Sequence, residues 1–172
     1  MQYVITLNSE GSSIGLMEKQ EAHLKGVFHL AFSIFIFREI GSSYELLIQQ
    51  RALSKYHSGG LWTNTCCSHA EENIPLEETA HKRLQEEMGF SCPLQKAGTF
   101  QYKAVVGEGL IENELDHVFV GFSNPATISL HPEEASSYEW VPLPLLEKRL
   151  TNSPETFTAW FAPALKLALQ IF

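Results

Sequence analysis

An amphipathic helix between Pro75 and Gly89 is the strongest structural signal in this sequence. Apolar residues recur there every four positions and would form one face of the helix: Leu76, Ala80, Leu84 and Met88. Two glutamates follow Pro75 in the first turn, where the helix dipole favours negative charge, and Gly89 suits the left-handed conformation that ends many helices. Because such an apolar face must be buried, the fold has to offer this helix a complementary surface.

The segments before this helix predict β-strands. The runs "HLAFSIFIFREI" and "YELLIQQRA" are rich in β-branched and aromatic residues, and we expect them to pair as a hairpin across "GSS". An earlier strand, "YVITLN", leads into a turn, and "MEKQEAHLK" predicts a short polar helix or a loop. The helix would therefore pack on a sheet.

Further strands are predicted after the helix. "AGTFQYKAVV" and "LDHVFVGFS" have the composition of strands, and the Gly-containing segment "VGEGLIENE" between them predicts a turn. "YEWVPLPLLEKRL" predicts a strand that passes into a short helix after its prolines. Strands and helices thus alternate through the chain.

The C-terminal segment predicts one or two helices. Ser153 is suited to cap a helix with Pro154 at its first position, and Pro163 should either kink that helix or start a second one. The sequence contains no internal repeat or linker. This order predicts a mixed α/β (α+β) fold, with a mixed β-sheet sandwiched between helices, as a single domain over residues 1–172.

Composition and charge exclude several functional classes. No stretch approaches the ~20 apolar residues that a membrane helix needs, and the start "MQYVITLNSEG" lacks the features of a secretory signal, so we expect a cytoplasmic protein. The formal charge of −8 argues against nucleic-acid binding, which needs a basic surface. Seven histidines and 20 acidic residues supply ligands for a divalent cation.

Residues 63–73, "TNTCCSHAEEN", contain two of the three cysteines side by side. Adjacent cysteines do not easily bond to each other, and their spacing to the histidine is not that of a zinc knuckle. The segment is more typical of a reactive site than of a structural crosslink. Composition alone does not distinguish the two cysteines.

Residues 82–90, "KRLQEEMGF", resemble a degenerate Nudix signature, whose closing segment is Arg-Glu-aliphatic-x-Glu-Glu-x-Gly-aliphatic. Arg83 occupies the position of the first glutamate, Ser68 that of the opening glycine, and Ile74 that of another glutamate. The carboxylates that hold several magnesium ions in a Nudix pyrophosphohydrolase are thus reduced to Glu86 and Glu87.

Further motifs occur in the order found in type I isopentenyl-diphosphate isomerases, which have the Nudix fold. They are "HLAFSIFIF" at 29–37, "QQRALSKY" at 49–56, "WTNTCCSH" at 62–69, "IENELDHVF" at 111–119 and "FTAWF" at 157–161. The most specific are Thr-Asn-x-x-Cys-x-His and Glu-Asn-Glu, which Nudix hydrolases lack. The resemblance spans nearly the whole chain and implies an enzyme that interconverts isopentenyl and dimethylallyl diphosphates.

The resemblance implies a site for one divalent metal with five ligands: His23, His29, His69, Glu112 and Glu114. Imidazole and carboxylate together suit zinc, manganese or magnesium. The two glutamates are two positions apart, so on an extended segment both would project to the same side. Taken alone, each histidine is more often a surface or core residue, and only their convergence would make them ligands.

The resemblance also implies a cationic pocket for the substrate diphosphate, formed by Lys19, Arg51, Lys55 and Arg83. Taken alone, each is more often a surface charge, but arginine holds phosphate oxygens in a bidentate manner. Glu87 fits a second magnesium ion that arrives with the diphosphate.

The implied reaction moves a double bond by adding a proton to one carbon and removing a proton from another, through a developing tertiary carbocation. By resemblance, Cys67 and Glu114 are the proton-transfer residues, Tyr102 assists them, and the ring of Trp160 faces the cation. Cys66 has no implied role and is expected to be a small core or loop residue.

Two other functions stay open at this point. One is a Nudix pyrophosphohydrolase, which the substitutions at Ser68, Ile74 and Arg83 disfavour because they remove metal-binding carboxylates. The other is a non-catalytic diphosphate-binding module, which would not need Cys67 and Glu114 together. We expect a small-molecule diphosphate substrate, no flavin, no nucleic-acid or membrane partner, and a monomer.

Overall fold

A computed structural model describes residues 2–172, so Met1, where the predicted domain begins, lies outside the described residues. Within that range the chain forms nine strands: β1 Tyr3–Leu7, β2 Ser13–Glu18, β3 His29–Ile40, β4 Ser43–Arg51, β5 Trp62–Thr63, β6 Cys66–His69, β7 Leu94–Gly107, β8 Leu110–Phe122 and β9 Ala135–Pro142. The same residues form four α-helices and two 3-10 turns: α1 Lys19–Lys25, α2 Leu76–Met88, α3 Leu143–Asn152, α4 Phe161–Ala168, and the turns Pro154–Thr156 and Leu169–Ile171. Among residues 2–172, no helix has both the length and the apolar composition that crossing a bilayer requires.

Strand β3 is the centre of one mixed sheet that includes all nine strands. Its first half lies between β6, which is antiparallel to it, and β8, which is parallel to it. Its second half pairs with β4. Nearly every residue from His29 to Phe37 is buried, because both faces of this strand are covered, and this explains its continuous apolar run.

Two apolar cores cover the two faces of the sheet. On one face, α2 packs against alternate residues of β3 in a cluster that includes Leu84, Ile34 and Ile36. On the other face, α3 and α4 pack against the intervening residues in a cluster that includes Phe35 and Phe161. The predicted α+β fold, with a mixed sheet between helices, is confirmed.

Several local predictions are also confirmed. Helix α2 ends at Gly89, which has a φ of +77° as its position requires. The segment "MEKQEAHLK" contains a helix, α1, rather than a loop. Pro163 lies in the first turn of α4, where its missing N–H costs no helical hydrogen bond, so the second of its two predicted roles is the observed one.

Two local predictions were wrong. The turn expected over "VGEGLIENE" is confined to Glu108 and Gly109, because β7 and β8 pair along almost their whole length and include Glu112 and Glu114 in β8. Ser153 precedes a single 3-10 turn rather than an α-helix, and its side chain makes no capping hydrogen bond. The first correction matters for the site, since a strand fixes both glutamates on one face.

Candidate active site

A cavity of about 270 Å³ lies over the first half of β3 and the strands that flank it. Trp160, the loop between β4 and β5, Lys19 at the start of α1 and Arg83 of α2 enclose it. All four residues with a predicted catalytic role line this cavity: Cys67, Tyr102, Glu114 and Trp160. The four residues predicted to bind the diphosphate line it as well: Lys19, Arg51, Lys55 and Arg83.

The two adjacent cysteines face opposite sides of the sheet. In β6, Cys66 pairs with Ile34 and Cys67 pairs with Ser33 of β3, and side chains alternate along a strand. Cys66 is fully buried in the apolar cluster under α2, whereas Cys67 lines the cavity. Both are free thiols. Strand alternation therefore separates a core cysteine from one that a substrate can reach.

The Cys67 thiol lies beside a cation but stays protonated. Its sulfur is 3.8 Å from Nη1 of Arg51. Burial nevertheless raises the pKa of Cys67 to about 12, because loss of hydration outweighs the attraction of the thiolate to Arg51. Near neutral pH the group is a thiol, which is the form that can donate a proton.

Four of the five predicted metal ligands converge. His23 near the end of α1, His29 at the start of β3, His69 at the end of β6 and Glu114 on β8 offer ligand atoms that all lie within 4.8 Å of one another. The sheet register brings them together, since His29 is paired directly with Glu114 across β3 and β8. Nε2 of His29 and Nε2 of His69 are each 3.1 Å from Oε1 of Glu114.

The hydrogen bonds of these histidines fit a bound cation. Nδ1 of His23 is 2.6 Å from the Lys19 carbonyl oxygen and Nδ1 of His29 is 2.7 Å from that of Val27, so each Nδ1 donates to a carbonyl and Nε2 of each ring is left to bind a cation. Nε2 of His29 and Nε2 of His69 are 3.3 Å apart, and burial lowers the pKa of His69 to about 3. Lone pairs this close repel each other unless a cation lies between them. The group is therefore able to hold a metal ion.

Tyr102 links the two glutamates of β8. Its hydroxyl oxygen is 2.8 Å from Oε2 of Glu112 and 2.5 Å from Oε2 of Glu114. Burial, together with the charge of Glu114, raises the pKa of Glu112 well above its usual range. Glu112 is not in the four-residue group but forms a second group with His23 and His57. The five predicted ligands thus lie in two overlapping groups that share His23.

A carboxylate organises two of the four cavity cations. Glu134 contacts Nζ of Lys55 and accepts a hydrogen bond of 3.0 Å from Nη2 of Arg83. Nη2 of Arg83 is also 2.7 Å from Glu87, which is buried beneath it and accepts a bond of 3.3 Å from Gln49. Burial raises the pKa of Glu87, although Arg83 opposes that shift. A magnesium ion at Glu87 stays a prediction.

Trp160 is fixed at the cavity wall by the asparagine of the Thr-Asn motif. Its Nε1 donates to Oδ1 of Asn64 at 3.1 Å, while Nδ2 of Asn64 donates to the carbonyl of Cys66 at 2.6 Å. The guanidinium carbon of Arg51 lies 5.4 Å from the centre of the Trp160 ring. An aromatic face held in this way is suited to contact a cation.

The cavity residues that were not predicted from the sequence include His57, Asp116 and Glu134. Asp116 continues the alternation of the two β8 glutamates, which is a signal that the sequence contains. Its Oδ2 accepts a hydrogen bond of 2.7 Å from Ser33, and burial, with the charge of Glu114, raises its pKa to about 8. His57 and Glu134 lie outside strands and helices, so no periodicity marks them.

Known proteins are similar to this chain over most of its length. The NUDIX domain model matches residues 27–161. The isopentenyl-diphosphate Delta-isomerase of Photobacterium profundum is 44% identical over 171 residues, which cover 98% of this chain and 95% of that protein. Isopentenyl-diphosphate Delta-isomerase 2 of Photorhabdus laumondii is 45% identical over 161 residues, covering 93% and 88% of the two chains.

Solved structures of more distant proteins share the fold. DR0079 from Deinococcus radiodurans superposes with a TM-score of 0.68 at 15% identity, covering 88% of this chain and 90% of the other. The MutT protein from Methanosarcina mazei superposes with a TM-score of 0.65 at 21% identity, covering 84% and 94%. From its domain match and its relatives, the chain belongs to the Nudix superfamily and, within it, to the isopentenyl-diphosphate Delta-isomerase family.

Proposed function

We propose that this protein interconverts isopentenyl and dimethylallyl diphosphates. The observation that carries the proposal is that the Cys67 thiol and the Glu114 carboxylate line one cavity with four cationic side chains. Cations suit a diphosphate, and a thiol with a carboxylate suits the transfer of two protons. The sequence identity to relatives named for this activity supports the same conclusion.

The cavity residues divide into a binding set and a reacting set. Lys19, Arg51, Lys55 and Arg83 bind the diphosphate, and Glu134 holds two of them in place. Cys67 and Glu114, on the two strands that flank β3, transfer the protons to and from the C5 unit. Tyr102 orients the Glu114 carboxylate through its hydroxyl, and Trp160 shields the developing cation from water.

The group of His23, His29, His69 and Glu114 would hold one divalent ion. The chemistry of these donors suits zinc, manganese or magnesium. When bound, this ion supplies positive charge that stabilises the ionised carboxylate of Glu114. Glu87 would help to hold a second magnesium ion that arrives with the substrate diphosphate. We further propose that residues 1–172 act as one domain, since strands from β1 to β9 join one sheet.

The decisive test is incubation of purified protein and magnesium with isopentenyl diphosphate, and separately with nucleoside diphosphate derivatives. We expect dimethylallyl diphosphate without release of phosphate. Phosphate or nucleoside monophosphate, formed without any isomer, would show that the protein is a Nudix pyrophosphohydrolase instead. Binding of isopentenyl diphosphate with neither product would indicate a non-catalytic diphosphate-binding module.

Arg83→Glu restores one consensus Nudix carboxylate and should weaken substrate binding rather than create a hydrolase. The new carboxylate would face Glu86, Glu87 and Glu134, the three present partners of Arg83. Loss of a charged hydrogen bond to phosphate costs ~1.5–3 kcal/mol of binding free energy, so KM for isopentenyl diphosphate should rise about 10–100-fold.

Lys82→Glu is the matched control for this charge reversal. Lys82 is the exposed neighbour of Arg83 on α2 and pairs only with Glu71 among the ion pairs of residues 2–172. We expect little change in its KM. Efficient nucleotide hydrolysis by Arg83→Glu would contradict our account of the missing metal carboxylates.

A further inference from the structure

Asn64 is a fully buried residue behind the cavity wall, and its amide uses every hydrogen-bonding position that it has. Oδ1 accepts from Nε1 of Trp160 at 3.1 Å and from the hydroxyl of Thr63 at 2.9 Å. Nδ2 donates to the carbonyl oxygen of Cys66 at 2.6 Å and to that of Ile34 at 3.2 Å. An amide has two N–H donors and one oxygen with two lone pairs, so all four positions are occupied.

The partners of Asn64 permit only one orientation of its amide. An indole N–H can only donate and a backbone carbonyl can only accept, so the amide oxygen faces Trp160 and the amide nitrogen faces Cys66. An aspartate here would place a carboxylate oxygen against the carbonyls. A leucine would leave the indole N–H buried without an acceptor. The position therefore requires an amide.

The amide of Asn64 joins two segments that are far apart in the chain. Trp160 directly precedes α4, whereas Cys66 lies in β6, next to Cys67. The two carbonyls that accept from Nδ2 belong to Ile34 and Cys66, which are paired across β3 and β6. The strand that carries the Cys67 thiol and the ring of Trp160 are therefore held by one side chain.

Two threonine hydroxyls reinforce this anchor from the side of Trp160. Thr158 lies two residues before Trp160, and its hydroxyl oxygen is 2.9 Å from that of Thr63. Because the one hydroxyl proton of Thr63 is donated to Asn64, Thr158 must donate to Thr63. The backbone N–H of Thr158 also donates to the carbonyl of Trp62 at 3.0 Å. The segment before α4 is thus tied to the residues around Asn64 by backbone and side-chain bonds.

We propose that Asn64 is a positioning residue of the isomerisation, which holds the Trp160 ring in the orientation that faces the developing cation. A cation–π contact requires the cation to lie over the ring face within about 6 Å of its centre, so a turned indole would lose it. Trp160 and Cys67 line the same cavity, and the shared anchor keeps both directed at one C5 unit. This inference rests on the proposed function and adds the residue that aligns two of its groups.

Two diphosphates of equal shape and different charge test this role. Dimethylaminoethyl diphosphate carries a protonated tertiary amine where the cation develops, and isopentyl diphosphate has an uncharged carbon at that place. The wild-type protein should bind the amine about 10–30-fold more tightly. Asn64→Ala should reduce this preference to no more than about threefold, since its ring is no longer held. The measurement is isothermal titration calorimetry, with circular dichroism and thermal unfolding of each variant.

The kinetic effect of Asn64→Ala should fall on kcat rather than on KM. A contact made only to the developing cation stabilises the transition state, so kcat should decrease by about 10–30-fold. None of the four hydrogen bonds of Asn64 involves a cation of the cavity, so KM for isopentenyl diphosphate should change by less than about threefold.

Thr65→Val is the matched control at the next position of the chain. Oγ1 of Thr65 donates to the Leu47 carbonyl at 2.6 Å and accepts from the Ile36 N–H at 2.9 Å. The substitution therefore also removes buried hydrogen bonds, but neither of them involves Trp160. We expect it to lower the thermal midpoint while kcat and the preference for the amine stay at their wild-type values.

Thr63→Val is a milder variant that keeps Asn64 and tests the same anchor if Asn64→Ala does not fold. It removes one of the two donors that orient the amide oxygen of Asn64. We expect the preference for the amine to fall by about two- to fivefold. An unchanged preference in folded Thr63→Val, with Asn64→Ala unfolded, would overturn the inference.

Other results would also show that the inference is wrong while the proposed function stands. In a wild-type protein that forms dimethylallyl diphosphate, they are absence of any preference for the amine, or an unchanged preference in folded Asn64→Ala. Equal loss of affinity for both diphosphates would mean that Asn64 only maintains the shape of the cavity. A wild-type protein that forms no isomer would instead remove the proposed function, and this inference with it.

Discussion

Cys67→Ser should lower the isomerisation rate by about 10²–10⁴-fold, while Cys66→Ser leaves it nearly unchanged. Serine almost preserves the shape of cysteine, but a hydroxyl is a far poorer proton donor or acceptor than a thiol near neutral pH. Cys67 lines the cavity, whereas Cys66 is fully buried on the opposite side of β6. The pair is therefore its own matched control, with the same substitution at neighbouring positions on one strand.

The two cysteine variants should also differ in stability. A hydroxyl at Cys66 would lie in the apolar cluster under α2, where an unpaired polar group costs ~1–3 kcal/mol. Turnover at saturating magnesium, with thermal unfolding midpoints for both variants, gives the comparison. If Cys66→Ser were inactive and Cys67→Ser active, our assignment of the proton transfer to Cys67 would be wrong and the mechanism would have to be revised.

The sequence predicted the helices and strands better than it predicted which of their residues come into contact. The prediction of helix α2 was correct at both ends, because its apolar repeat and its closing glycine are local signals. The spacing of Glu112 and Glu114 correctly suggested one face of an extended segment, although the turn expected there was misplaced. Local patterns carry such information because they depend on residues that are close in the chain.

The metal group could not be derived from local patterns. His29 and Glu114 are adjacent only because β3 and β8 pair in parallel, and that register depends on the whole sheet. The ligand set came from resemblance, which transfers only positions that relatives share. His57 and Glu134 sit in irregular segments, so neither periodicity nor the quoted motifs indicated that they face the cavity.

One geometric feature connects the sheet to the proposed chemistry. β3 is flanked by the strand that carries Cys67 and by the strand that carries Glu114, and helices pack on both faces of β3 around Ile34 to Phe37. Neither proton-transfer residue depends on a mobile loop for its backbone position. A site built on paired strands holds its groups more accurately than one built on loops, which favours a reaction that must deliver protons to particular carbons.

Glu114→Gln should abolish most of the activity, by about 10²–10⁴-fold, and should also weaken metal binding. The amide keeps the size of the side chain but cannot accept a proton from carbon. Oε1 of Glu114 lies 3.1 Å from Nε2 of His29 and of His69, and Oε2 accepts from Tyr102, so an amide nitrogen would replace either a ligand oxygen or the acceptor that Tyr102 uses. Both the proton transfer and the ligand set are therefore affected.

Metal content and turnover, measured together, separate these two losses. If Glu114 acts only as a ligand, excess Zn²⁺ or Mn²⁺ that refills the centre should restore turnover to Glu114→Gln. If it also transfers a proton, the refilled variant stays at least about a hundredfold slower than wild type, because no ion replaces the missing base. Glu108→Gln, in the exposed turn between β7 and β8, is the control and should match wild type in both measurements. A refilled Glu114→Gln with near wild-type turnover would leave Glu114 as a ligand and move the second proton transfer to another cavity residue.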